Sequence, residues 1–120
     1  MNRNICVQSK LLLAVVLWVF SCSAISAGKA DRYNVVSVRT DQNGKGLVIF
    51  ANDLVGSPAS CISNGFLRHL AFDANTPGGR AILSLAMFAQ GAGKKIFAMG
   101  TGDCSVYGIV ETWNYGWTLE

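Results

Sequence analysis

The sequence predicts a mainly β domain with one helix, folded as a small five-stranded barrel. Three observations lead to this class. Short runs rich in β-branched and aromatic residues recur between glycine-containing turns, one later segment changes to helical periodicity, and the length of 120 residues allows one small domain at most. A generic α+β sandwich built from the same elements is the alternative.

The chain begins with the features of a signal peptide, predicted over residues 1–27. Arg3 and Lys10 supply a basic start, and residues 11–20 (LLLAVVLWVF) form an apolar stretch of about ten residues, against the roughly 20 that a membrane-spanning helix needs. Small residues follow, and cleavage is expected after Ser26 or Ala27, of which we favour Ala27. We therefore predict a secreted or periplasmic protein, with residues 28–120 as one domain and no transmembrane segment after removal of the signal.

Cys22 supports a second interpretation of the same segment. A cysteine just after an apolar stretch is the lipid-modified first residue of bacterial lipoproteins. Phe20, however, is bulky at a position where lipoprotein signals usually carry a small residue. We therefore expect Cys22 to be removed with the signal peptide rather than lipidated.

The charge of the chain argues against polyanionic partners. The formal net charge is +3, but Arg3 and Lys10 belong to the predicted signal peptide, which leaves about +1 for the remaining domain. Nucleic acids and anionic membranes are bound by strongly basic surfaces. We expect neither as a partner.

Two cysteines, Cys61 and Cys104, follow the predicted signal peptide. In an oxidising compartment an even number of cysteines favours a disulfide. A bridge that closes a loop of about 44 residues stabilises a fold by about 4 kcal/mol in the chain-entropy model. Neither cysteine has a close cysteine neighbour of the CxxC kind, so the predicted disulfide is structural.

The first two strands are predicted to form a hairpin. Residues 32–40 (RYNVVSVRT) alternate in character and are rich in β-branched side chains, and residues 47–51 (LVIFA) form a second extended run. Between them, Asn43-Gly44 tolerates the positive φ of a tight turn. A third strand is predicted at residues 66–72 (FLRHLAF), although its start could lie nearer Cys61.

The single helix is predicted over residues 80–90 (RAILSLAMFAQ). Thr76-Pro77 offers a capping hydroxyl followed by a proline whose missing N–H costs nothing there, and Gly91 or Gly93 ends the helix. The spacing i, i+3, i+4, i+7 predicts a buried stripe. Its members are Ile82, Leu85, Ala86 and Ala89.

Two further strands complete the predicted domain. Residues 94–99 (KKIFAM) form a short strand, residues 100–103 a glycine-rich turn, and residues 104–115 (CSVYGIVETWNY) a longer final strand with Gly108 at a bulge or bend. The order strand, strand, strand, helix, strand, strand is that of the OB-fold, a partly open five-stranded barrel. We therefore predict an OB-like barrel with one disulfide.

The segment 83–104 (LSLAMFAQGAGKKIFAMGTGDC) resembles a family of small secreted gammaproteobacterial proteins. A helix that ends in Gly-x-Gly-Lys, a short strand and a Gly-x-Gly-x-Cys turn carry the resemblance, together with residues 58–61 (PASC) and 72–73 (FD). More remotely, the helix and the following strand are similar to the B subunit of subtilase cytotoxin. That similarity implies an OB-fold of a kind that forms pentamers and binds cell-surface glycans, and it carries over no binding residue.

No catalytic residue, metal site or cofactor is predicted. Gly93-Lys94 lacks both the glycine five positions earlier and the following Ser or Thr of a phosphate-binding loop. His69 is the only histidine, which excludes a two-histidine metal site, and Asp73 would lie about 13 Å away along a strand. We expect a protein that is not an enzyme; a small enzyme is the least favoured alternative.

Four aromatic residues near the C-terminus are the candidate binding residues. They share strand parity and are predicted to line one face of the chain: Tyr107, Trp113, Tyr115 and Trp117. Such a face stacks against sugar rings or is buried in a protein interface, unless the rings complete the barrel core. We predict a binding module that recognises a glycan or a protein partner and is compatible with a homo-oligomer. A structural or accessory protein that uses this strand as an interface is the alternative.

Overall fold

The computed structural model describes residues 26–120, so nearly all of the predicted signal peptide, Cys22 included, lies outside the described residues. The described chain is mainly β with one helix, as predicted, and a two-residue strand adds to the five expected. Its elements are strands β1 (Gly28–Thr40), β2 (Lys45–Phe50) and β3 (Val55–Gly56), a 3-10 turn (Asn64–Phe66), strand β4 (His69–Asp73), helix α1 (Pro77–Ala92), and strands β5 (Lys95–Gly100) and β6 (Trp113–Thr118).

The strands form an antiparallel sheet in the order β4-β2-β1-β5-β6, and β3 pairs with the start of β1. A parallel bridge joins Ala71 on β4 to Thr112 just before β6, where the Ala71 N–H donates to the carbonyl of Glu111 at 2.8 Å. This bridge brings the two ends of the sheet together. The result is the partly open OB-like barrel that the element order predicts.

Strand β1 is long enough to serve both halves of the barrel. Residues 29–34 pair with β5, and residues 35–40 pair with β2. The register against β5 shifts at Arg32, which takes a φ of 62°. Because a bulge bends a strand and increases its twist, β1 can pass from one pairing partner to the other.

The predicted β1–β2 hairpin is confirmed. Gly44 has a φ of 85°, and its N–H donates to the carbonyl of Asp41 at 3.0 Å. The side-chain oxygen of Asn43 accepts the N–H of Lys45 at 3.1 Å. The turn therefore uses the Asn-Gly chemistry that the sequence indicates.

Helix α1 begins and ends at the predicted cap residues. The Thr76 hydroxyl accepts the N–H of Gly79 at 2.9 Å, and Gly93, with a φ of 65°, ends the helix. The four residues of the predicted stripe all contact the core, two fully buried and two partly buried: Ala86 and Ala89, then Ile82 and Leu85.

Several predicted strand bounds differ from the observed ones, and β1 begins at Gly28, four residues before its predicted start at residue 32. The strand predicted at residues 66–72 begins at His69, because residues 64–66 form a 3-10 turn. The strand predicted at residues 104–115 is wrong over most of its length, since β6 starts only at Trp113. The Thr112 N–H donates to the carbonyl of Asp103 at 2.9 Å, so the preceding segment closes on itself as a loop instead of extending.

The predicted disulfide between Cys61 and Cys104 is formed, with a Cα separation of 6.2 Å. It ties the loop after β3 to the loop before β6. The barrel interior is filled by large apolar side chains and is covered by α1; the largest of these are Phe50, Phe72, Leu70, Ile96 and Val48. Within residues 26–120, no helix has the length and apolar character needed to cross a membrane.

Candidate functional site

Exposed rings lie on the outer face of β5 and β6. Phe97 is opposite Trp117 and Met99 is opposite Tyr115, and directly opposed residues of antiparallel strands point to the same face. We call these four residues the aromatic surface. Tyr115 and Trp117 are 48% and 49% exposed, respectively, whereas Phe97 and Met99 are partly buried beside them.

Stacking orders the rings of the aromatic surface. The ring centroids of Phe97 and Trp117 are 4.6 Å apart, with 24° between the planes. Those of Tyr115 and Trp117 are 6.1 Å apart, with 11° between the planes. Rings held against one another on a paired sheet lose little further freedom when a ligand binds. The aromatic surface is therefore preorganised.

Charged side chains border the aromatic surface on β1. Asp31 lies opposite Phe97, and Lys29 lies opposite Met99. A carboxylate and an ammonium group thus stand in the same cross-strand rows as the apolar side chains. These two groups can exchange hydrogen bonds with a polar ligand that covers the rings.

A groove of about 550 Å³ opens beyond the Trp117 end of the aromatic surface. It lies where the chain leaves β6, since the Leu119 N–H donates to the carbonyl of Lys95 at 2.8 Å. Three of its six lining residues are cationic, and one is acidic. The six are Arg32, Gly93, Lys94, Lys95, Leu119 and Glu120.

Trp113 does not belong to the aromatic surface. It pairs with Gly100, whereas Tyr115 pairs with Met99, so Asn114 is an extra residue on β6. Such a bulge reverses the alternation of faces. Trp113 is 4% exposed and lies in the core. The prediction that Trp113 lies beside Tyr115 assumed strict alternation along an unbroken strand. The bulge at Asn114 breaks that alternation.

Tyr107 lies elsewhere, in the loop before β6, where it packs over Leu47 and Ala71. Its hydroxyl donates to the carboxylate of Asp41, and burial together with this hydrogen bond raises the pKa of Tyr107 to about 12. Arg39 binds the same carboxylate at 2.8 Å and holds the pKa of Asp41 below its usual value. Tyr107 therefore fastens its loop to the barrel, away from the aromatic surface.

The single histidine is not paired with the carboxylate that follows it. His69 and Asp73 stand at the two ends of β4, opposite Ile49 and Lys45. The Nδ1 atom of His69 is buried without a hydrogen-bond partner, and burial lowers the pKa of the ring. Among residues 26–120, no group of three or more His, Cys, Asp or Glu side chains is placed to hold a metal ion.

Glu111 is a buried polar residue that sequence reasoning missed. It is 0% exposed, and its carboxylate accepts backbone N–H groups of Gly28 at 2.9 Å, Ala59 at 2.6 Å and Gly102 at 3.3 Å. A Cβ on Gly100 would collide with it. In the sequence it is one acid in a run predicted as a strand. The only sequence signal of its burial is the pair of glycines, Gly28 and Gly100, that leave room for its carboxylate. These glycines lie in β1 and β5, so the sequence alone does not connect them with Glu111.

Comparison with family models, with curated proteins and with solved structures finds no match for this chain. The function proposed below therefore rests on the geometry of the described residues.

Proposed function

We propose that this protein is a non-enzymatic recognition module that binds a glycan on the aromatic surface. The exposure of two stacked rings, Tyr115 and Trp117, on a paired sheet is the observation that carries the proposal. Large rings left half exposed are unfavourable in water and mark binding surfaces when they cluster. Flat rings match the apolar faces of sugars, and small OB-type barrels commonly bind oligosaccharides.

The charged groups around the rings favour an acidic sugar. Asp31 and Lys29 stand next to Phe97 and Met99 and match the hydroxyl groups of a stacked sugar. The groove beyond Trp117 carries Arg32, Lys94 and Lys95 against one carboxylate side chain. Guanidinium and ammonium groups bind carboxylates and sulfates strongly. The proposed ligand is therefore a glycan that places a neutral ring on the aromatic surface and an anionic group in the groove.

One further observation supports this proposal. The disulfide between Cys61 and Cys104 supports a secreted or periplasmic location, where glycans are accessible.

The second candidate is a structural or accessory role in which the aromatic surface binds a protein. Val55, 42% exposed, extends the row of Lys29, Met99 and Tyr115 with another apolar side chain. A longer apolar row suits a protein interface, including one with a second copy of this chain.

Tryptophan fluorescence distinguishes the two candidates. A protein that begins at Gly28 contains two tryptophans, the buried Trp113 and the exposed Trp117. Acrylamide should quench only Trp117. We expect an acidic glycan to protect Trp117 from acrylamide, and we expect Trp117→Ala to weaken binding at least tenfold, equivalent to about 1.4 kcal/mol.

Matched variants test the site and the ligand class. Phe88 is 57% exposed on α1, outside the aromatic surface, so Phe88→Ala should leave glycan affinity unchanged. Lys95→Gln should weaken binding of an acidic glycan and not of its neutral counterpart. The opposite outcome is protection of Trp117 that rises with protein concentration, in parallel with self-association measured by light scattering, and that no glycan changes. This outcome would reject the first candidate and support the second.

A further inference from the structure

Glu111 is buried, and no cationic side chain of the described residues forms an ion pair with it. The ion pairs within residues 26–120 join Arg32 to Asp31, Arg39 to Asp41 and Arg68 to Asp53, and none includes Glu111. Burial of a carboxylate is costly unless hydrogen bonds and an opposite charge compensate it. Three backbone N–H groups supply the hydrogen bonds. Within the part of the chain that the structure describes, no side chain supplies the compensating charge.

The backbone nitrogen of Gly28 can supply that charge if it becomes a chain terminus. It lies 2.9 Å from Oε2 of Glu111, within the range of a charged hydrogen bond. Gly28 is also the residue after the predicted cleavage point at Ala27. We propose that removal of residues 1–27 turns this nitrogen into an α-ammonium group that forms a buried ion pair with Glu111.

The chemical step is hydrolysis of the Ala27–Gly28 peptide bond by a secretory signal peptidase. Water adds a hydroxyl group to the Ala27 carbonyl carbon, the C–N bond breaks, and the nitrogen of Gly28 leaves as an amine that takes up a proton. The folded chain thereby gains one positive charge next to one buried negative charge. The proposal rests on cleavage at this bond and does not depend on the binding function.

The surroundings of Gly28 fit a chain terminus. A Cβ at this position would lie 3.0 Å from Oε1 of Glu111 and 3.2 Å from the Cα of Pro58, so Gly28 is tightly enclosed. The Ala27 carbonyl accepts only the N–H of Ser57, at 3.1 Å, and Ser57 is exposed. After cleavage the N–H of Ser57 can bind water. Water in the space left by Ala27 can also accept hydrogen bonds from the other N–H groups of the ammonium.

Unfolding of four proteins tests the ion pair. Two begin at Gly28 and two at Ser26, and within each pair one carries Glu111 and the other Glu111→Gln. All are released from a fusion partner without added residues. With Glu111 present, we expect the protein that begins at Gly28 to unfold at a temperature higher by about 5 °C or more. With Glu111→Gln, we expect this difference to vanish or reverse, because the buried α-ammonium group of the Gly28 protein then lacks its counter-charge and that protein also lacks the Ala27 hydrogen bond.

The double-mutant cycle isolates the interaction between the new terminus and Glu111. Equal unfolding temperatures with Glu111 present, or the same difference in both backgrounds, would overturn the proposal. If Glu111→Gln does not fold, reductive methylation replaces the cycle. The α-amino group of the folded Gly28 protein should react more slowly than that of the Ser26 protein, and equal rates would overturn the proposal.

The position of cleavage is tested separately. The full chain is expressed with its own signal in a bacterial host, and the mass of the exported protein is measured. A first residue of Gly28 is expected. Any other terminus would refute the proposal regardless of the unfolding results.

Discussion

At position 69 the ring of the only histidine meets Phe66 edge-on, with ring centroids 5.2 Å apart. Its Nδ1 atom is buried without a partner, and the pKa of His69 is lowered first by burial and further by Arg39 and Arg68. The folded protein therefore binds a proton at His69 less readily than the unfolded chain does. This difference makes stability depend on pH.

We expect the free energy of unfolding to fall as the pH drops below about 6.5, the ordinary pKa of histidine. Above that pH the ring is neutral in both states, and the stability is fully present. Below it the unfolded chain takes up a proton that the folded chain does not. Urea unfolding of the untagged protein between about pH 5 and 8 measures this loss.

His69→Gln is the matched variant for this pH dependence, and its stability should be flat between about pH 5 and 7, below the range in which an α-amino group loses its proton. The lowered pKa values of Asp41 and Asp103 affect stability only below about pH 4. The raised pKa of Tyr107, about 12, also lies outside the window. A loss of stability that persists in His69→Gln would assign the effect to another group.

At the scale of elements, β6 presents rings to both faces and depends on Gly116 to do so. A Cβ on Gly116 would lie 2.7 Å from Cζ2 of Trp113 and 2.6 Å from the carbonyl oxygen of Phe97. Trp113 packs on Phe50 in the core, with ring centroids 6.2 Å apart. Glycine at position 116 therefore lets the indole of Trp113 lie against its own strand, while Tyr115 and Trp117 point outward.

Gly116→Ala should destabilise the protein by about 1–3 kcal/mol, because the added methyl group overpacks the contact with Trp113. Urea unfolding followed by tryptophan fluorescence measures the change. Gly91→Ala, where an added Cβ meets nothing within 4 Å on α1, is the control and should stabilise the protein by about 0.5–1 kcal/mol. If both variants are as stable as the wild type, Trp113 does not pack against position 116.

Local chemistry made some elements predictable from the sequence and left others hidden. Thr76, Gly93 and Gly44 act through neighbours a few positions away, so the helix ends and the hairpin turn were predicted correctly. The loop before β6 is shaped by distant partners, including the disulfide and the bridge to Ala71. No pattern within residues 104–115 reveals those partners.

The aromatic surface was also predictable only in part. Tyr115 and Trp117 follow the bulge in β6 and alternate regularly, so their shared face could be inferred from spacing. Trp113 precedes the bulge and Tyr107 lies in the loop, and spacing placed both incorrectly. Phe97 joins the surface only through pairing between strands, which alternation along one strand cannot show.

For the whole molecule, the disulfide is the principal constraint on the unfolded chain. Cys61 and Cys104 are separated by 43 positions. Replacing both by serine should lower the free energy of unfolding by about 4 kcal/mol, much of the stability of a domain of this size. Urea unfolding measures the loss. Reduction of the wild type should reproduce it, and a change below about 1 kcal/mol in both would contradict the entropic account.

The hydrogen bond between Gly28 and Glu111 spans 83 positions of the chain. During synthesis Gly28 leaves the ribosome long before Glu111, and the bridge from Ala71 to Thr112 depends on the segment that includes Glu111. A translation product that stops before residue 111 contains β1 to β5. It lacks both the hydrogen bond from Gly28 to Glu111 and the bridge from Ala71 to Thr112. Its strands stay open to proteolysis, so premature termination should yield fragments for degradation rather than partly working copies.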